Sequence, residues 1–228
     1  MRLVGFFFLF TFVAVTGGPA WASVDACPRN PDALGTSRVL TIAPNEFKKI
    51  GSMYYKQTLP LKDHEVVITF DDGPLPPYSN IILETLASQC VKATYFLIGR
   101  MARQYPSMVR RIYNAGHTIG THSENHPLAF RRLPIQRVKS EVEGGIVSVD
   151  AALGDPKALS PFFRIPGLGK TSAIDDYLSS KQLVNWSADV VADDYRALTG
   201  KKPLTIREVI ALHRAEMPLS SGAAARPG

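Results

Sequence analysis

Four short clusters carry the side chains that could do chemistry. In the first, Asp71 and Asp72 stand side by side between Thr69-Phe70 and Gly73-Pro74. Adjacent like charges cost energy unless a cation or a shared proton offsets them. A solvated turn is the alternative, because Asp and Gly are common there. In the second, His122-Ser123-Glu124-Asn125-His126, the two histidines are four residues apart. That spacing can place two imidazoles on one side of a turn. Two such nitrogens plus one carboxylate leave an open coordination position, the pattern of catalytic zinc. Two surface histidines would read the same in isolation. Beside a pair of Asp at a strand end, metal binding is the better explanation. In the third, Arg164 lies within Phe162-Phe163-Arg164-Ile165-Pro166-Gly167. Buried there, it needs an anionic partner; exposed, it is a loop residue. The fourth, Trp186-Ser187-Ala188-Asp189 with Asp193-Asp194-Tyr195 beyond, offers Asp189 as that partner, or else forms a solvated acidic loop.

Each cluster follows a segment that reads as a strand. Val66 to Phe70 is an apolar run ended by Asp-Asp-Gly-Pro. Ser79 is a candidate cap for a helix through about residue 89, with Ile82, Leu86 and Cys90 on one face. Ala93 to Ile98 reads as a buried strand. Pro106 suits a first helical turn, Val109 and Ile112 face inward, and Gly116 ends the helix. His117 to Gly120 reads as another strand. Ile135, Val138, Val142, Ile146, Val149 and Leu153 recur at helical spacing. Gly144 and Gly145 interrupt that stripe at a cost of about 1 kcal/mol each relative to Ala. Close packing against a sheet would be a reason to keep them. Gln182 to Asn185 is a further strand. Alternating β and α elements predict an α/β domain with a mainly parallel sheet, whose ligands bind at the carboxyl ends of the strands.

The chain has 228 residues, 45% apolar and 20% charged, with a net charge of +6. This composition excludes collagen, coiled coils and disordered acidic tails. Two cysteines exclude a disulfide scaffold and a multi-cysteine zinc module. Gly167-Leu168-Gly169-Lys170-Thr171 ends like a phosphate-binding loop, but Arg164 stands where that loop needs its first Gly, so nucleotide binding is discarded. Between Gly99 and Lys139 there are eight basic residues and one acid, Glu124. That surface could meet an acidic glycan or a membrane, or be a solvated basic face; no aromatic interleaving or motif points to nucleic acid.

Residues 1–22 read as a signal peptide: Arg2, an apolar run from Leu3 to Thr16, then Ala20-Trp21-Ala22. The run is shorter than the about 20 residues a membrane span needs. We therefore expect cleavage after Ala22, export and no integral membrane segment afterwards. An oxidising milieu would allow Cys27 and Cys90 to pair, although spacing alone leaves that open. Residues 23–62 read as an extension that wraps the domain, residues 63–213 as the domain itself, and residues 214–228 as a disordered tail.

At the four clusters the sequence resembles the polysaccharide deacetylase family, carbohydrate esterase family 4, which includes chitooligosaccharide and peptidoglycan N-acetylglucosamine deacetylases. Thr69-Phe70-Asp71-Asp72-Gly73-Pro74 is similar to its first motif, His122-Ser123-x-x-His126-Pro127 to its second, Arg164-x-Pro166 to its third, and Trp186-Ser187-x-Asp189 to its fourth. The resemblance covers about residues 63 to 200. It implies a deformed (β/α) barrel and hydrolysis of N-acetyl, or O-acetyl, groups on a polysaccharide such as peptidoglycan or a chitin-like oligosaccharide. It implies Asp71 as general base and Asp72, His122 and His126 as ligands of a divalent metal, commonly zinc. Arg164 would orient Asp71, Asp189 would hold Arg164, and the Gly167 N–H would face the developing oxyanion. Family members more often carry Tyr at the position of Gly167.

The family's last motif, a strand ending Leu-x-His, has no counterpart here. Ala211-Leu212-His213 has the wrong internal spacing. Thr205-Ile206-Arg207-Glu208 is a capping box that starts a helix, so His213 is expected on a helix. No apolar strand follows Pro218. The expectation is a barrel lacking its C-terminal strand or strands. A weakly active or non-catalytic glycan- or metal-binding remnant is the alternative function.

Overall fold

The computed structural model describes residues 27–192 apart from residue 29. Six short strands form one sheet: β1 (Lys49–Ile50), β2 (Thr69–Phe70), β3 (Thr94–Leu97), β4 (Thr118–Thr121), β5 (Phe162–Phe163) and β6 (Val184–Trp186). Every pairing is parallel, and the order across the sheet is β1-β6-β5-β4-β3-β2. The helices are α1 (Tyr78–Ser88), α2 (Gly99–Gln104), α3 (Pro106–Asn114), α4 (Ile135–Leu153) and α5 (Ser172–Ser180). From β2 to β6 each strand returns beside its predecessor through helical crossovers, as parallel pairing requires.

The sheet is curled. Arg164 follows β5, three strand spacings from β2, or about 14 Å across a flat sheet. Its guanidinium nevertheless donates to Thr69 Oγ1 of β2 at 2.7 Å. Only a sheet bent round its inner face allows that bond, so the six strands form an incomplete barrel. Residues beside the two edge strands, β1 and β2, line one cleft of about 120 Å³. Alternation along the strands splits the core. Phe96, Val184 and Trp186 pack with Ile50 in one cluster. Leu97 and Ile119 meet Val109, Ile112 and Val149 from the helices in another. Phe130, Val138, Val142, Phe163 and Leu178 form a third.

Several elements depart from their sequence signals. β1 lies inside the segment read as an extension, and it pairs with β6; two residues offer no period to detect. β2 spans two residues of the five-residue run from Val66, and Val66 and Val67 are exposed. Among the described residues its one partner is β3, and edge strands are commonly short. Ser79 does not cap α1. It lies inside the first turn, where its Oγ accepts from Leu75 N–H at 2.9 Å. Cys27 and Cys90 form a disulfide that ties the start of the described chain to the residue region after α1. The signal segment, Asp193-Asp194-Tyr195, the predicted helix after Thr205, His213 and the tail lie outside the described residues.

Candidate metal centre and active site

The chemistry-bearing side chains follow the carboxyl ends of their strands. Asp71 and Asp72 come after β2, His122 and His126 after β4, Arg164 after β5 and Asp189 after β6. Parallel pairing puts all of them on one rim.

The loop after β4 is the most tightly built part of that rim. His122 N–H donates to Leu97 O at 2.8 Å, and Ser123 O and Glu124 O accept from Gly99 and Arg100 N–H at 2.9 Å each. Ser123 Oγ accepts from His126 N–H at 3.0 Å. Helix α4 buries its stripe of Val138, Val142 and Val149 and so presses Gly145 against the loop. A Cβ on Gly145 would lie 2.7 Å from the Ser123 carbonyl carbon. The two glycines therefore pack against a loop, not against the sheet as expected. Glu141, also on α4 and 3% exposed, accepts from Asn125 N–H at 2.8 Å and from its side-chain amide at 3.0 Å. Glu124 accepts from Ser148 Oγ at 2.8 Å and pairs with Arg103. Glu141 is a site residue that none of the four motifs contains. Its signal was a carboxylate three residues after Val138, on the buried stripe.

His122 Nδ1 lies 2.8 Å from Arg164 O. A carbonyl only accepts, so Nδ1 carries the proton and Nε2 presents its lone pair. Burial pushes the His122 pKa below its ordinary value, opposed by nearby Asp71. Burial thus favours the neutral imidazole, which is the ligating form. Asp72 Oδ1 is 3.5 Å from His122 Nε2 and 3.2 Å from His126 Nε2. Tetrahedral bonds of 2.0–2.1 Å set neighbouring ligand atoms about 3.3 Å apart, close to both Asp72 distances, and the three donor atoms lie within 4.8 Å of one another. Asp72 and His126 occupy left-handed backbone, with φ of 68° and 54°. Such strain commonly collects at functional sites.

Asp71 has a different environment. Arg164, 5% exposed, donates from Nη1 to Asp71 Oδ1 at 2.8 Å and from Nη2 to Ser187 O at 3.1 Å. Its guanidinium carbon lies 4.2 Å from the centre of the Phe96 ring, a cation–π contact. The other Asp71 oxygen faces His122 Nε2 at 4.0 Å. Thr69 joins this group by accepting from Arg164. Asp189 does not pair with Arg164 among the described residues. Its Oδ1 accepts from Ser52 N–H at 2.6 Å, so it braces the loop after β1; Arg164 bonds Asp71, Thr69 and Ser187 instead, and its buried Nε has no partner among the described residues. Gly167 sits in a 3₁₀ turn, Pro166–Leu168, with φ of 67°. The first N–H groups of such a turn have no partner within it.

The polysaccharide deacetylase family model matches residues 58–186, from ahead of β2 to the end of β6. The chain belongs to this family. A peptidoglycan-N-acetylglucosamine deacetylase of Bacillus cereus is 32% identical over 149 residues, covering 64% of this chain and 52% of that protein. A chitooligosaccharide deacetylase of Azorhizobium caulinodans is 45% identical over 128 residues, covering 54% and 59%. The chain thus spans little more than half the length of these curated relatives. A family 4 carbohydrate esterase from Streptomyces lividans, solved with acetate, superposes with a TM-score of 0.56 at 25% identity, covering 68% of this chain and 75% of that one. Among the described residues, no helix of this polysaccharide deacetylase family member is long and apolar enough to cross a membrane.

Proposed function

We propose that the chain is an exported, zinc-dependent deacetylase that hydrolyses N-acetyl groups on a cell-envelope or chitin-like polysaccharide. The observation that carries this reading is the division of labour between two adjacent carboxylates. Asp72 joins His122 and His126 in a three-atom donor set, while Asp71 is held apart by Arg164. Two imidazoles and one carboxylate with an open position suit zinc. When bound, zinc would polarise the acetamide carbonyl and acidify a water. Asp71 is placed to take the proton of the attacking water. Arg164 fixes its direction, with Thr69 holding Arg164 in turn, which matters because a base must be aligned with the proton it removes. The Gly167 N–H offers a donor to the oxyanion. Among the described residues, the protonated Asp71 carboxyl is the acid available to the departing amine. The signal-like residues 1–22 support export.

Acetate release from N-acetylglucosamine oligomers, with zinc supplied, tests the assignment. Asp71→Asn should lower turnover by about 10²–10⁴-fold and leave zinc binding in place. Full activity in that variant, or in the presence of a chelator, would overturn it.

A further inference from the structure

A second hollow adjoins the candidate centre on the same rim. It has a volume of about 250 Å³ and is lined by Tyr54, Leu128, Arg131, Pro166, Gly167 and Gly169. Three loops build it, following β1, β4 and β5. Gly167, the candidate oxyanion donor, forms part of its wall, so an occupant would neighbour the reacting acetamide.

Each contributing side chain is placed by packing. The β1 loop is held at five points. Gly51 N–H donates to Gln57 O at 3.0 Å and Met53 N–H to Ala188 O at 3.0 Å. Ser52 N–H donates to Asp189. Tyr55 OH donates to buried Asp175 Oδ1 at 2.9 Å. Lys170 donates to Tyr54 O at 2.7 Å. With its backbone fixed, Tyr54 remains 39% exposed on the hollow, with Lys170 Nζ 5.7 Å from the centre of its ring. Arg131 lies in a 3₁₀ turn, Phe130–Arg132, anchored by Phe130, which is fully buried against Phe163. The Arg131 stem lies flat on Gly169, where a Cβ would come within 2.8 Å of its Cδ. Among the described residues, Arg131 has no ion-pair partner, as is true of Arg100, Arg110 and Arg132, but of these it is Arg131 that lines the hollow.

We propose that this hollow binds the sugar next to the one being deacetylated, and that Arg131 selects a neighbour bearing a carboxylate. The inference rests on the deacetylase reading of the adjoining centre. A pyranose lays its C–H face on an exposed aromatic ring, which Tyr54 supplies at little cost in side-chain order. A guanidinium with free N–H groups matches the planar fork of a carboxylate. Leu128, 90% exposed, gains burial only when something covers it. Asp189 thereby acquires a role as a positioning residue for the Tyr54 loop.

The test compares two tetrasaccharides, neutral chitotetraose and an alternating oligomer of N-acetylglucosamine and N-acetylmuramic acid. The full chain is assayed with zinc for acetate release, and its Asp71→Asn variant for binding by calorimetry. We expect a preference for the carboxylate-bearing oligomer in both assays. Arg131→Ala should reduce the ratio of the two kcat/KM values about tenfold. Gly169→Ala, which displaces the Arg131 stem and retains its charge, should reduce the ratio by a smaller factor. Acetate release without preference, or a ratio that Arg131→Ala does not move, overturns the subsite and leaves the deacetylase reading intact. Arg131-dependent binding of the acidic oligomer without acetate release keeps the subsite and overturns the deacetylase reading. Binding of neither oligomer overturns the subsite.

Discussion

Strand β4 carries a buried histidine at each end, and the two have opposite fates. His117 precedes Thr118 and His122 follows Thr121. Burial pushes both pKa values down, His117 to about 4. His117 Nδ1 accepts from Ala93 N–H at 3.1 Å, and its ring meets Tyr95 edge-on at 5.3 Å. His122 Nδ1 instead donates to Arg164 O. An amide N–H can only donate and a carbonyl can only accept, so the tautomers differ. His117 keeps its proton on Nε2, whereas His122 bares Nε2 towards Asp72. Residue type and burial are shared. The partner of Nδ1, and the carboxylates beyond Nε2, separate a structural histidine from a candidate ligand.

Zinc binding gives the largest test of that contrast. Zinc at a hundred times its dissociation constant stabilises a protein that binds it by about 2.7 kcal/mol. Thermal melts with and without zinc should show this shift in the unmodified chain and in His117→Gln. His122→Gln and Asp72→Asn should lose it. A shift retained by His122→Gln would remove the distinction between the two ends.

What could be read from sequence follows the same division. The parallel α/β pattern and the α4 stripe were legible because their periods repeat. The spacing of His122 and His126 was legible because both sit in one loop. Contacts set by the curl of the sheet were not legible. Asp189 was expected at Arg164, but its partner is Ser52 N–H, 137 residues away in sequence. Glu141 was hidden because a carboxylate on a helix usually reads as solvated. Its role depends on how α4 lies against the β4 loop. β1 was hidden by its length. The barrel class, in contrast, came from the four motifs together.

The glycines of α4 test how far packing sets the His122 loop. Gly145→Ala gains about 1 kcal/mol of helix propensity but drives a methyl into Ser123 backbone 2.7 Å away. Overpacking of that kind costs about 1–3 kcal/mol, and backbone cannot swing aside. We expect a net loss of up to about 2 kcal/mol in denaturant melts, together with weaker zinc binding. Gly144→Ala is the control. Its nearest contact is the Glu124 side chain at 3.2 Å, which can move by a few tenths of an ångström. Its stability should hold or rise, by up to about 1 kcal/mol. Equal effects at both positions would show that the loop yields to the helix.

The smallest effect probes the other end of β4. The His117 pKa is about 4 in the folded chain, against an ordinary value near 6.5. Below pH 6.5 the unfolded chain takes up a proton there that the folded chain refuses until about pH 4. Stability from this group is therefore present above pH 6.5 and is lost as pH falls towards 4. Between pH 7.5 and 5.5 linkage gives a loss of about 1 kcal/mol. The physical causes are burial first and the nearby Lys92 charge second; a protonated Nδ1 would also lose the Ala93 N–H bond. In His117→Gln the side-chain carbonyl can accept the same bond and does not titrate. Its melts should fall less steeply over that range, by about 1 kcal/mol, whatever its stability at pH 7.5. Parallel curves for the two proteins would mean that His117 is as free to protonate when folded as when unfolded, and the contrast along β4 would then rest on His122 alone.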